Sequence, residues 1–178
     1  MLEFELDYLR NIRLWFQPNQ DLLLSNRPQI VKYSSHSNKD FYNKTVIIEL
    51  LIPRGGRNIY GLLGANYIPM PTNNLEVSVL CGTNFNANSF KKSLIEKIEP
   101  VYLSISEEYC KAIFDKIESL SKNSQLNLGG KLNFCYGASS EISSNELIFS
   151  KLTNLIINLI PVSEHKIDSG LLMQLIDS

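Results

Sequence analysis

Thr45-Val46-Ile47-Ile48-Glu49-Leu50-Leu51-Ile52-Pro53-Arg54-Gly55-Gly56-Arg57 is the stretch on which the fold turns. Its first eight residues are crowded with β-branched and aliphatic side chains, which suit a pleated, largely buried strand, and Pro-Arg-Gly-Gly-Arg then closes that strand with a turn. A second strand is expected to leave near Ile59 or Tyr60. Glycine admits positive φ without steric cost, so a hairpin is the plain reading of Gly55-Gly56. The same two glycines, flanked by Arg54 and Arg57, also form a candidate anion-cradling turn, because bare backbone amides and guanidinium groups both approach an oxyanion closely.

Downstream, Leu75-Glu76-Val77-Ser78-Val79-Leu80 alternates apolar and polar residues as a half-buried strand does, and Cys81-Gly82-Thr83-Asn84 ends it. Asn84 to Ser89 reads as a polar surface loop, and Phe90 to Glu99 as either a short helix or a strand. Ser104 and Glu107 have the spacing of a capping box, and Ile105, Tyr109, Ile113, Ile117 and Leu120 recur at helical steps. They predict an amphipathic helix over about 106–121, with Glu108, Lys111, Asp115 and Glu118 outside. Lys131 to Tyr136 predicts another strand. Ser143 and Glu146 repeat the capping-box spacing before an apolar run that Pro161 stops, predicting a second helix over about 144–160. The tail, 162–178, carries Leu171, Leu172, Leu175 and Ile176 and reads as a terminal helix.

Upstream, Gln29 to Tyr33 predicts a short strand between the Asn26-Arg27-Pro28 break and a polar loop at 34–40. Residues 2–17 alternate with period two, as two short strands would, although a helical reading also fits. The expectation is an α+β fold: a mixed or antiparallel sheet with two main amphipathic helices on one face, residues 1–44 a β extension, and the whole of 1–178 one domain.

Composition bounds the function. The chain has 178 residues, 44% hydrophobic and 20% charged, within the globular range. Seventeen Lys and Arg against eighteen Asp and Glu leave a net charge of −1, so there is no overall field to collect a polyanion, and any basic contact must be local. Residues before position 60 include eight basic and six acidic side chains, and the remainder nine and twelve. Acidic residues at the amino terminus (Glu3, Glu5, Asp7) are the reverse of a signal-peptide n-region, and no apolar run approaches a bilayer span. Cys81, Cys110 and Cys135 lie in apolar strings and read as small buried hydrophobes rather than a disulfide framework. Together these features predict a cytoplasmic protein without membrane contact.

Candidate chemistry is sparse. His36 and His165 are the two histidines, and neither lies at metal-ligand spacing from another ligand, so no metal or cofactor is expected. Ser163-Glu164-His165 places triad residue types side by side, whereas catalytic partners meet through the fold. Both phosphate-loop patterns, the Walker sequence and G-x-G-x-x-G, are missing. Lys91-Lys92 beside Phe85 and Phe90 have the composition of a base-stacking basic patch, diluted by Glu96 and Glu99.

The order of motifs resembles domain IV of the translocating translational GTPases, the elongation factor G and ribosomal-protection group. The residues are Gly55-Gly56-Arg57-Asn58-Ile59-Tyr60-Gly61, Ser106-Glu107-Glu108-Tyr109-Cys110-Lys111-Ala112-Ile113, and Ser143-Ser144-Asn145-Glu146-Leu147-Ile148-Phe149, within about 45–160. The resemblance implies a ribosomal protein S5 domain 2-like fold with helices on one face of a sheet, and candidate RNA contacts at Arg54 to Arg57. It carries over no GTPase domain. Asn58 replaces a family glycine, the family's basic excess is missing, and 1–44 has no counterpart.

Two expectations follow. The first is a non-enzymatic intracellular interaction domain that binds a protein partner or its own copy through an apolar patch. The second is a ribosome- or RNA-associated module using Arg54, Gly55, Gly56, Arg57, Lys91 and Lys92.

Overall fold

A computed structural model describes residues 1–6, 10–24, 28–35, 42–81 and 89–177. Among these residues seven strands form one sheet: β1 (Leu2–Glu5), β2 (Asn11–Trp15), β3 (Pro28–Ser34), β4 (Lys44–Arg54), β5 (Arg57–Pro69), β6 (Asn74–Leu80) and β7 (Gly130–Ala138). Their spatial order is β1-β2-β4-β5-β7-β6-β3. Every pairing is antiparallel except β6 with β7, so the sheet is mixed. The helices are α1 (Glu107–Lys122), α2 (Glu146–Leu159) and α3 (Ser169–Asp177). The α+β expectation therefore holds, with both main helices within two residues of their expected bounds.

The opening stretch forms the longest antiparallel pair, with Lys44 opposite Tyr67 and Arg54 opposite Arg57. Gly55 and Gly56 sit at φ +57° and +82°, and positive φ at both central residues is what a two-residue type I′ turn requires. Even-numbered β4 residues (Val46, Ile48, Leu50) face the main core under the helices. Odd-numbered Ile47 and Leu51 face a smaller cluster on the other side with Tyr60, Leu62, Ile95 and Val101. Residues 89–105 cover that second cluster. The segment left open between helix and strand, 90–99, forms turns and bends instead.

Both helix caps differ from the expected boxes. Ser106, not Ser104, caps α1, its hydroxyl accepting from the Tyr109 N–H at 3.4 Å, while Ser104 Oγ lies 3.3 Å from Ser139 Oγ. Asn145, not Ser143, caps α2, its Oδ1 accepting from the Ile148 N–H at 3.0 Å. In each case a polar side chain two residues nearer the apolar stripe captures the free amide first. α2 is more buried than an amphipathic helix, because the sheet, α1 and α3 all pack on it.

The cysteine expectation is corrected. Cys81, just past β6, and Cys110, in the first turn of α1, form a disulfide with Cα atoms 6.0 Å apart. The fold brings these two buried residues within bonding reach, which their separation of 29 residues in sequence does not reveal. Cys135 remains a thiol, and burial pushes it up to about 11.

Candidate functional site

The arginines of the turn are placed by strand alternation. Arg54 continues the even-numbered face of β4, toward the helices, and it is exposed, as is Arg57 across the hairpin. Arg54 lines a cleft of about 190 Å³ at the hairpin end of the sheet together with Arg10, Lys151 and Asp177. The apolar wall includes Ile52, Ile59 and the first turn of α2. Arg10 Nη1 donates to Asp177 Oδ1 at 2.7 Å, and Lys151 Nζ donates to the carbonyl of Ile176 at 2.5 Å. The last turn of α3 thus lies against two of the three cations. Arg10 and Lys151 were not among the candidates from sequence, because they come from the loop before β2 and from mid-α2 and meet Arg54 only through the sheet's edge-to-helix packing.

Lys91 and Lys92 are elsewhere. They lie in the segment that crosses the opposite face, where the Lys92 carbonyl accepts from Arg13 Nη1 at 2.8 Å. The fold therefore does not bring the two pairs of candidate cations together. The Phe90 ring packs into the second cluster rather than standing free beside the lysines, and Phe85 and His36 lie outside the described residues. His165 is exposed in a 3₁₀ turn at Glu164–Lys166.

Beneath the 89–105 segment lies a buried carboxylate with perturbed titration. Glu49, wholly buried on the second face of β4, accepts from the Tyr60 hydroxyl at 2.9 Å and the Leu94 N–H at 2.8 Å, both on Oε1. Its Oε2 lies 3.4 Å from Arg13 Nη1, and Arg13 Nε pairs with Glu3 at 3.1 Å. Burial raises the Glu49 carboxyl above its ordinary value, opposed by the Leu94 and Tyr60 hydrogen bonds and by Arg13. Burial also raises the Tyr60 hydroxyl, and the neighbouring carboxylate pushes it further. The buried Ser93 hydroxyl adjoins the pair, and the partners of Glu49 are those of a fastening for residues 89–105.

A larger groove of about 940 Å³ runs between the start of β4 and the end of α2, past Phe16, Lys44, Asn66 and Val162. Lys44 Nζ caps α2 there, donating to the carbonyls of Leu159 (2.9 Å) and Val162. Burial lowers the Lys44 ammonium, partly offset by Glu164. Among the described residues no group of three or more His, Cys, Asp or Glu is placed to hold a metal ion, and no helix is long and apolar enough to cross a membrane.

No protein-family model, no curated protein and no solved structure matches the chain.

Proposed function

We propose that this chain is a non-enzymatic interaction domain that self-associates along the edge strand β3. The observation that carries this is the exposure of that strand. Pro28–Ser34 pairs only with β6 among the described strands, and it presents Ile30 (59% exposed) and Val31 (38% exposed) beside an open row of backbone donors and acceptors. Such an edge is completed by another strand. An antiparallel copy centred on Val31 sets Val31 against Val31 on the helix face and Ile30 against Lys32 on the other. No like charges then meet directly across the seam. Lys32 is already paired with Glu76 of β6 at 3.3 Å, so its charge is held on the β6 side and away from the seam.

Sedimentation velocity across a concentration series tests this. The expected result is a monomer–dimer equilibrium in the unmodified chain that Val31→Lys shifts to monomer, with the circular dichroism spectrum unchanged. A monomer at every concentration defeats self-association and leaves β3 to a different protein strand. The intracellular setting of this reading is tested by thiol trapping of Cys81 and Cys110 in cells, because a reducing compartment would leave that pair open.

A second reading, an RNA- or ribosome-associated module, is favoured by the exposed Arg54 and Arg57 at the tip of the hairpin turn. Co-sedimentation with ribosomes that weakens with salt and is lost in Arg54→Ala, Arg57→Ala supports it; binding indifferent to salt removes it.

A further inference from the structure

We infer that the cleft between the hairpin end, α2 and α3 is a binding site for a phosphate group, and that the last turn of α3 occupies it as an internal competitor. Among the described residues, three cations, Arg10, Arg54 and Lys151, line one cleft with one carboxylate, Asp177, so that part of the lining carries a positive excess. These cations come from three elements: the loop before β2, the tip of β4, and α2. Two of them are planar guanidinium forks that suit phosphate. The first turn of α2 also forms part of the wall, and the positive end of its helix dipole adds to the field there.

The occupant seen in the structure has the same chemistry as the proposed ligand. Asp177 offers a carboxylate to Arg10 at 2.7 Å, and the Ile176 carbonyl offers a second oxygen to Lys151 at 2.5 Å. Arg54, in contrast, has no ion-pair partner among the described residues and is left facing the cleft mouth. A ligand phosphate would take over the oxygen positions of Ile176 and Asp177 and add Arg54. The volume, about 190 Å³, holds a phosphate together with a small apolar neighbour against Ile52 and Ile59. This reading does not rest on self-association, whose test reads mass and not ligand.

The Asp177 side chain is 63% exposed, so the contact it makes with Arg10 is of the kind that salt and water weaken, and it yields readily. The phosphate could be carried by a polynucleotide or by a small ester, and two probes separate those sources: inorganic pyrophosphate, and a short single-stranded RNA of mixed sequence. Each is titrated into the full chain and into Asp177→Asn and Arg54→Ala, following the backbone amide resonances of Arg54 and Leu147. Both substitutions are at exposed positions, and a thermal melt checks that each variant remains folded.

The expected result is that Asp177→Asn binds about two- to fivefold tighter, the range that loss of an exposed ion pair allows. Arg54→Ala should bind at least about fivefold weaker, as loss of a charge-assisted contact predicts. Tightening toward both probes identifies a small-phosphate site, and tightening toward RNA alone identifies a polynucleotide site. Amides of the cleft that do not move with either probe in Asp177→Asn overturn the inference, as does binding that Asp177→Asn leaves unchanged.

Discussion

Glu49 shows what a single charge does inside an otherwise apolar strand. It sits between Ile48 and Leu50 with no solvent contact, and its two oxygens hold groups from β2, β5 and the 89–105 segment. Removing the carboxylate strands the Tyr60 hydroxyl, the Leu94 N–H and one charge of the Arg13 pair. Glu49→Leu is therefore expected to cost about 3 kcal/mol, the scale of breaking one side of a buried pair, whereas Glu49→Gln, which retains an acceptor, costs about 1 kcal/mol. Urea denaturation midpoints at unchanged slope measure both. The sign with pH follows from the raised carboxyl: the folded state holds this proton more tightly than the unfolded chain, so its stabilising effect is full at low pH and is lost as pH rises through the raised value. The Tm advantage of the unmodified protein over Glu49→Gln should accordingly shrink from acid toward neutral pH. Thermal melts of the pair that stay parallel throughout would show that Glu49 titrates normally. From sequence, Glu49 is one polar residue in a β-branched run. Its importance was illegible there because Arg13 and Leu94, which define it, are distant in the chain and meet it only across two strands and under a crossing segment.

Elements were more legible than contacts. The β4–β5 hairpin was readable because its information is local: β-branched residues on both sides of a Gly-Gly turn. Likewise the stripe Ile113, Ile117, Leu120 marks one face of α1 whatever packs on it. The caps were misplaced by two residues because a capping-box pattern scores residue types, and two serines compete at the start of α1 and two serines and an asparagine at the start of α2. The disulfide was missed for a different reason. Whether two buried cysteines bond depends on how β6 meets α1, and nothing local encodes that meeting. Its consequence lies at this scale, since it ties the end of a strand to the start of the helix that follows, 29 residues on. Closing a loop of that size restricts the unfolded chain by roughly 3–4 kcal/mol in the chain-entropy account. The expected outcome of adding reductant is a urea midpoint lowered to match, and Cys81→Ala, Cys110→Ala should show the same loss without reductant. A midpoint insensitive to reductant in the unmodified chain would mean that the thiols are not joined in solution.

At the scale of the molecule, the mixed sheet with helices on one face was foreseeable from the count and order of elements, while the strand order was not. The candidate basic residues illustrate the gap. Arg54 and Arg57 are local to one turn and stayed together, but Lys91 and Lys92 were separated from them by the sheet itself. Arg10 and Lys151, contributed by neighbouring elements, line the cleft with Arg54 instead. Sequence proximity found the turn; only the packing of α2 and α3 against the end of β4 and β5 found the cleft.

The strand order also sets a timetable. β5 and β6 follow one another along the chain, yet they are not neighbours: β7, at residues 130–138, is inserted between them after α1 has crossed over. Until that strand arrives, β5 has one unpaired edge, and β6 and β3 can form only a separate hairpin-like pair. Sheet closure therefore waits on long-range contacts, which makes folding slow relative to the local β4–β5 turn. In refolding followed by pulsed amide exchange, the β4–β5 hairpin should gain protection first, and β6, β7 and β3 together afterwards. Simultaneous protection of all seven strands would contradict this. A chain emerging from synthesis meets the same interval, with the apolar edges of two half-sheets open until Ala138 has been made, and during that interval it is most exposed to pairing with the wrong strand.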